Sequence, residues 1–200
     1  MATLLCRLIF PRRGIPALAR AGVGCGLVLA AMGALLLAPA ASAYDVPPRL
    51  NEVARVYSLG VGEVRCPSQA EWDAYYGSAF AWGSTNLRED YATLAPFICA
   101  GALTVGSPSV PLWQQAAGVW VLVHESFHLR HWRFRRDEAK VACQAIVYFR
   151  DAAMRLGASE EQAEELYPYA LALHIRQAEL FSWYRAKTCR PPLWFPPAVP

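Results

Sequence analysis

The chain has 200 residues, of which 55% are hydrophobic and 18% charged, with a formal net charge of +3. That length suits one domain. The positive excess belongs to the first 43 residues: without their four arginines the rest has 15 basic and 16 acidic residues, a net of −1. Nothing in that balance suggests a nucleic-acid partner, which would need a basic face.

In chain order, "MATLLCRLIFPRRGIPALAR" carries Arg7, Arg12, Arg13 and Arg20 and no acid. Residues 21–40 are uncharged, and "ASA" closes the segment at Ala43. A basic stretch, an apolar stretch and an A-x-A end predict a secretory signal peptide cut after Ala43. The expected product is one secreted or extracytoplasmic domain, residues 44–200. Left uncut, residues 21–38 are about long enough to anchor the chain in a bilayer. Four cysteines follow: Cys66, Cys99, Cys143 and Cys189. An even count in an exported chain predicts two disulfides. Proximity in sequence favours Cys66–Cys99 and Cys143–Cys189.

"PPRLNEVARVYSLG" places Leu50, Val53 and Val56 at helical spacing and stops at Gly60. Ser68 and Glu71 form a capping-box pattern for a short helix that closes at Gly77. Residues 78–108 show no sustained helical period and read as loop and short extended pieces, with a small hairpin or edge strand. Ser109 is a candidate cap and Pro111 a first-turn residue for a long helix, "LWQQAAGVWVLVHESFHLRHW", interrupted only by Gly118. Its apolar residues are enough to bury it on more than one side. The basic run "RHWRFRRDEAK" reads as a solvated turn. A second helix, "RDEAKVACQAIVYFRDAAMRLG", stops at Gly157. Ser159 and Gln162 form another capping-box pattern and open a third, in which Pro168 should kink or split the helix. The tail "CRPPLWFPPAVP" cannot be helical. The expected fold is mainly α, with an irregular N-terminal part, room for a short β element, and disulfide staples.

The chemistry concentrates in "VLVHESFHLRHW", residues 121–132. His124 and His128 are four apart, so on a helix they share one face and can reach one ion. Zinc takes imidazole nitrogens at about 2.0–2.1 Å and keeps a position open in catalytic sites. Glu125 projects beside that face, where it can accept a proton from water acidified by the metal. By chance, roughly one chain in two hundred of this size would carry H-E-x-x-H, so the pattern has weight. The bland alternative is a helix whose histidines are solvated or hydrogen-bonded.

For the third ligand several residues compete. His131 stands about 10.5 Å along the axis from His124 on a continuous helix, which is poor geometry. Glu138 opens the next helix after a short link that can fold back. Asp137 is an alternative ligand, or a partner that orients a ligand histidine. First-turn acids are also favoured by the helix dipole alone. His174, on the third helix, can supply a ligand or a hydrogen bond to a transition-state oxyanion. Tyr167 and Tyr169 are other candidates for that oxyanion role. The aromatic residues read as core and surface cover rather than a binding platform.

"VLVHESFHL" resembles the active-site helix of zincin-type metallopeptidases, and "RRDEAKVACQAI" resembles, more weakly, the third-ligand helix of gluzincin-like members. One departure is Arg130, where the extended pattern has an apolar residue. The resemblance implies a small zincin-like helical domain holding Zn2+ on His124, His128 and Glu138, with Glu125 as general base and a peptide or protein as substrate. His174 is carried as a second catalytic candidate. The competing expectation is a non-catalytic exported binding or structural domain with the same helix. An edge strand facing the metal, to align a peptide, would favour the peptidase. The oligomeric state has no signature in the sequence.

Overall fold

The computed structural model describes residues 45–77, 81–130 and 136–185. The expected leader, His131, Cys189 and the tail lie outside them. Among the described residues no helix is long and apolar enough to cross a membrane.

The fold is mainly helical with a small sheet, built around one buried helix, α4 (Leu112–Arg130). All sixteen residues from Gln115 to Arg130 are buried. A helix buried on every side belongs in the middle of a structure, and most of the buried residues of α4 are apolar. Around α4 lie α1 (Pro48–Ser58), α3 (Pro96–Leu103), α5 (Glu138–Val147), α6 (Phe149–Arg155) and α7 (Glu160–Leu180), and two strands of the sheet also contact it. Trp120, Phe127, Leu122 and Leu129 of α4 meet Tyr57, Leu50, Phe149 and Leu94 in one core.

Both capping boxes form: Ser68 opens α2 (Gln69–Tyr76) and Ser159 opens α7. Helix α1 ends through Leu59, which takes a left-handed φ of 60°. Ser109 does not cap α4. It bonds Ser107, and the first turn of α4 bonds the Pro111 carbonyl. The expected second helix is two, α5 and α6, broken at Tyr148 (φ −98°, ψ 7°). The break lets the Tyr148 ring pack 5.8 Å from Phe127 and 6.0 Å from Tyr57. Conversely, α7 runs unbroken through Pro168. The proline removes one backbone bond, but Ala163, Leu166 and Ala170 are buried on both sides of it and hold the helix in place.

The region 78–108 holds the expected hairpin, β2 (Gly83–Asn86) antiparallel to β3 (Tyr91–Leu94). Asn86 Oδ1 accepts from the Arg88 and Glu89 amides and shapes the turn. A third strand, β1 (Glu63–Arg65), pairs parallel with β3, giving the order β1-β3-β2. Helix α3 was not expected. Its sequence "PFICAGAL" is apolar throughout, so it has no amphipathic period to read. The Cys66–Cys99 disulfide forms and ties the end of β1 to α3. Cys143 is buried and disulfide-bonded, and its expected partner Cys189 lies outside the described residues.

Gly118, the one interruption foreseen in the long helix, is a contact point. A Cβ there would lie 2.2 Å from the Ala102 amide nitrogen, and one on Gly101 would lie 2.2 Å from the Gln114 carbonyl. The two glycines let α3 and α4 cross backbone to backbone.

Candidate metal centre

The C-terminal half of α4 presents His124 and His128 one turn apart, both buried. Helix α5 brings Glu138 in its first turn. Asp137 caps that helix by accepting from the Lys140 amide, 3.0 Å away, so its carboxylate serves the helix end. His124 Nε2 lies 3.1 Å from His128 Nε2 and 3.1 Å from Glu138 Oε2, and His128 Nε2 lies 3.4 Å from the same oxygen. Three donors bonded at about 2.0–2.1 Å around a tetrahedral ion stand roughly 3.3 Å apart. The triangle therefore has the size of one metal ion's coordination face, and this group can hold an ion.

Two features bear on that fit. Glu138 is held well below the usual carboxylate range: burial opposes its charge, but hydrogen bonds and charge from His124 and His128 outweigh it. The carboxylate is thus ready to ligate. Against this, His124 Nδ1 is buried with no hydrogen-bond partner. Ligand histidines usually donate that second nitrogen to a carboxylate or carbonyl, which fixes the ring. His124 is instead placed by ring packing on Trp120, at 5.5 Å, and Tyr184, at 5.9 Å and nearly parallel.

Glu125 lies beside the triangle. One carboxylate oxygen accepts from Thr85 Oγ1 at 2.6 Å. The approach depends on Gly83, where a Cβ would stand 2.7 Å from Glu125 Oε1 and 2.9 Å from Val121 Cγ1. Strand β2 thus lies directly on α4 at the proposed base. Its outer edge is open: among the described residues β2 pairs only with β3. The Trp82 carbonyl accepts from the Ala95 amide. Bonded and non-bonded pairs alternate along an antiparallel ladder, so Ser84 and Asn86 face β3 while Gly83 and Thr85 turn their N–H and C=O outward. A cleft of about 280 Å³ lined by β2, the three cluster residues, Glu125 and Tyr184 opens there.

Tyr184 is the site residue the sequence did not single out. It belongs to a short 3₁₀ turn, Ser182–Tyr184, beyond α7. Burial raises its hydroxyl pKa, as do the charges of Glu138 and Glu125 and a hydrogen bond to Glu138. It therefore stays a proton donor. The only hint in sequence is an aromatic cluster, "LFSWYR", directly after an amphipathic helix.

Other candidates lie elsewhere. His174 sits behind Trp120, with ring centroids 6.5 Å apart, and does not line the cleft. Its pKa is lowered by burial and then by the charge of His124. Tyr167 packs on Phe149 under the Arg150 guanidinium, and Tyr169 is exposed. Arg130 is buried with its guanidinium over Phe127, and burial lowers its pKa to about 10. It lines none of the openings at the cluster.

No protein-family model, no curated protein and no solved structure matches this chain.

Proposed function

We propose that the protein is a zinc-dependent hydrolase of peptide bonds, and one observation carries the reading. Two histidines and a glutamate form a triangle of ion size. A carboxylate that is not part of the triangle, Glu125, stands beside it in the same cleft. Two imidazoles with one carboxylate suit zinc, and three protein ligands leave one position open. Bound there, zinc would acidify water and polarise a carbonyl. Glu125, whose carboxylate accepts from Thr85, would serve as the base that takes a proton from water and returns it to the leaving amine. In this reading Tyr184, which lines the cleft, rather than His174, which does not, donates a hydrogen bond to the oxyanion. The outward N–H and C=O groups of Gly83 and Thr85 offer an extended peptide a strand to pair with. An exported, disulfide-stapled peptidase is consistent with the leader read in the sequence.

The test measures zinc per chain by mass spectrometry beside cleavage of a broad peptide library. His124→Ala, His128→Ala and Glu138→Ala should lose the metal. Glu125→Gln should keep it and cut about 10²–10⁴-fold more slowly. Zinc bound one per chain with no peptide cleaved would leave the non-catalytic binding domain as the reading. No zinc on folded, chelator-free protein would remove the centre itself.

A further inference from the structure

His124 Nδ1 is not alone in being buried without a hydrogen-bond partner. Trp120 Nε1, His174 Nδ1 and Gln177 Oε1 share that condition. These four atoms sort by helix. Trp120 and His124 stand four apart on α4 and so share one face, while His174 and Gln177 stand three apart on α7 and share another. The two helices pack together. The Trp120 ring lies 5.5 Å from the His124 ring and 6.5 Å from the His174 ring, so the two faces meet.

Their chemistry is complementary. The indole Nε1–H only donates. His124 Nε2 lies 3.1 Å from Glu138 Oε2 and from His128 Nε2, so an ion would take that nitrogen and leave the hydrogen on Nδ1, a second donor. Gln177 Oε1 only accepts, and the Nδ1 of a neutral imidazole accepts when its hydrogen is on Nε2. Helix α4 thus holds two unspent donors and α7 two acceptors. A cavity of about 590 Å³ decides the pairing, because Trp120, His124 and Gln177 line it and His174 does not. It leaves the Gln177 side chain room to turn. The other polar side chains on its wall are committed: Glu125 accepts from Thr85, Tyr184 bonds Glu138, and Arg176 pairs with Glu179.

We propose that Gln177 is the positioning residue of the metal centre: its side-chain carbonyl accepts the Nδ1–H of His124, directly or through one water, and holds the ring with Nε2 toward the ion. This rests on the metal half of the proposed function and not on peptide cleavage. An amide in this place orients the ligand without adding charge. A carboxylate there would do both, and would make the imidazole a stronger ligand.

Zinc dissociation constants, measured by competition with a chromophoric chelator, test the assignment. Gln177→Leu keeps the volume and removes the acceptor, so zinc should bind about 10–100-fold more weakly. Gln177→Glu restores an acceptor with charge, and should bind zinc at least as tightly as wild type. A side chain that served packing alone would not give opposite responses to these two substitutions. The second readout is NMR of zinc-loaded, ¹⁵N-histidine-labelled protein. The His124 Nδ1 proton should be visible and slow to exchange in wild type and Gln177→Glu, and lost to exchange in Gln177→Leu. Fast exchange of that proton in wild type would overturn the proposal without any variant. Zinc affinity within twofold of wild type in Gln177→Leu, or equal weakening in both variants, would overturn it and leave the metal centre standing. Weakening by His174→Leu but not by Gln177→Leu would move the role to His174. No zinc on folded wild type would sink the centre and this assignment with it.

Discussion

Helix α4 is one helix under two different constraints. Its first half meets α3 at Gly101 and Gly118, where no side chain fits between the backbones. It packs small residues, Ala116 and Ala117, with no exposure at all. Its second half buries His124, Glu125, Ser126, His128 and Arg130, none more than 7% exposed. Buried polar groups cost free energy unless their partners are complete, and His124 Nδ1 has none. The first half is built for stability, while the second carries that cost beside a group of donors that can hold an ion. The two halves should therefore separate when perturbed.

The largest expected effect falls on the packing half. The Cys66–Cys99 bridge spans 33 residues and holds α3 against the sheet. The Cys66→Ser/Cys99→Ser double variant should lose about 3–4 kcal/mol in denaturant unfolding. Zinc stoichiometry of the fraction that remains folded should not change. If folded protein without the bridge fails to bind zinc, the two halves are not independent.

Next comes Gly118→Ala. The added methyl meets backbone, which cannot rotate away, so the crossing must open. About 3 kcal/mol should be lost, or roughly 10 °C in melting temperature, with zinc affinity changed only a few-fold. His124→Leu is its mirror image. It removes the unpaired Nδ1 but also the Nε2 contact that helps hold Glu138 charged, so the chelated variant should melt below chelated wild type by less than Gly118→Ala does, while zinc binding disappears. A His124→Leu chain that melts as far below wild type without metal as Gly118→Ala does would break the contrast.

The same contrast explains what could be read in advance. His124, Glu125 and His128 were legible because a helix fixes their relation within five residues. Glu138 was legible because a short link restricts where the next helix can begin. Tyr184 was not, since it reaches the site from beyond α7 and only tertiary packing brings it there. Helix α3 was invisible for the reason that makes it useful: it is apolar on all sides and glycine-bearing, so no period marks it. The break at Tyr148 serves a ring packing between α1, α4 and α5 that no local rule contains.

A smaller effect is expected at the seam between the halves and the sheet. Thr85 Oγ1 holds one oxygen of Glu125 from across the β2–α4 contact. Thr85→Val keeps the shape and removes the donor. Stability should fall by about 1 kcal/mol and zinc should stay. Turnover of the best-cleaved peptide should fall roughly tenfold, because the base loses its orientation. Unchanged turnover would reduce this bond to packing.

The smallest effect belongs to His174, and its sign is fixed by linkage. Burial, then the charge of His124, lower its pKa in the folded chain below the ordinary 6.5. Between the folded and unfolded pKa values the unfolded chain binds more protons, so stability rises with pH there and levels off above about 6.5. Acidifying chelated wild type from pH 7.5 to 5 should therefore destabilise it through this residue. His174→Gln should remove that part of the loss, so the difference between variant and wild type should shift in the variant's favour at pH 5. Chelation matters, because metal binding to the neighbouring histidines would add its own pH dependence. The same variant, zinc-loaded at pH 7.5, should cut peptides within a few-fold of wild type, since His174 stands behind Trp120 and outside the cleft. A hundredfold fall in turnover with zinc retained would return His174 to the catalytic set and displace Tyr184 from the oxyanion role.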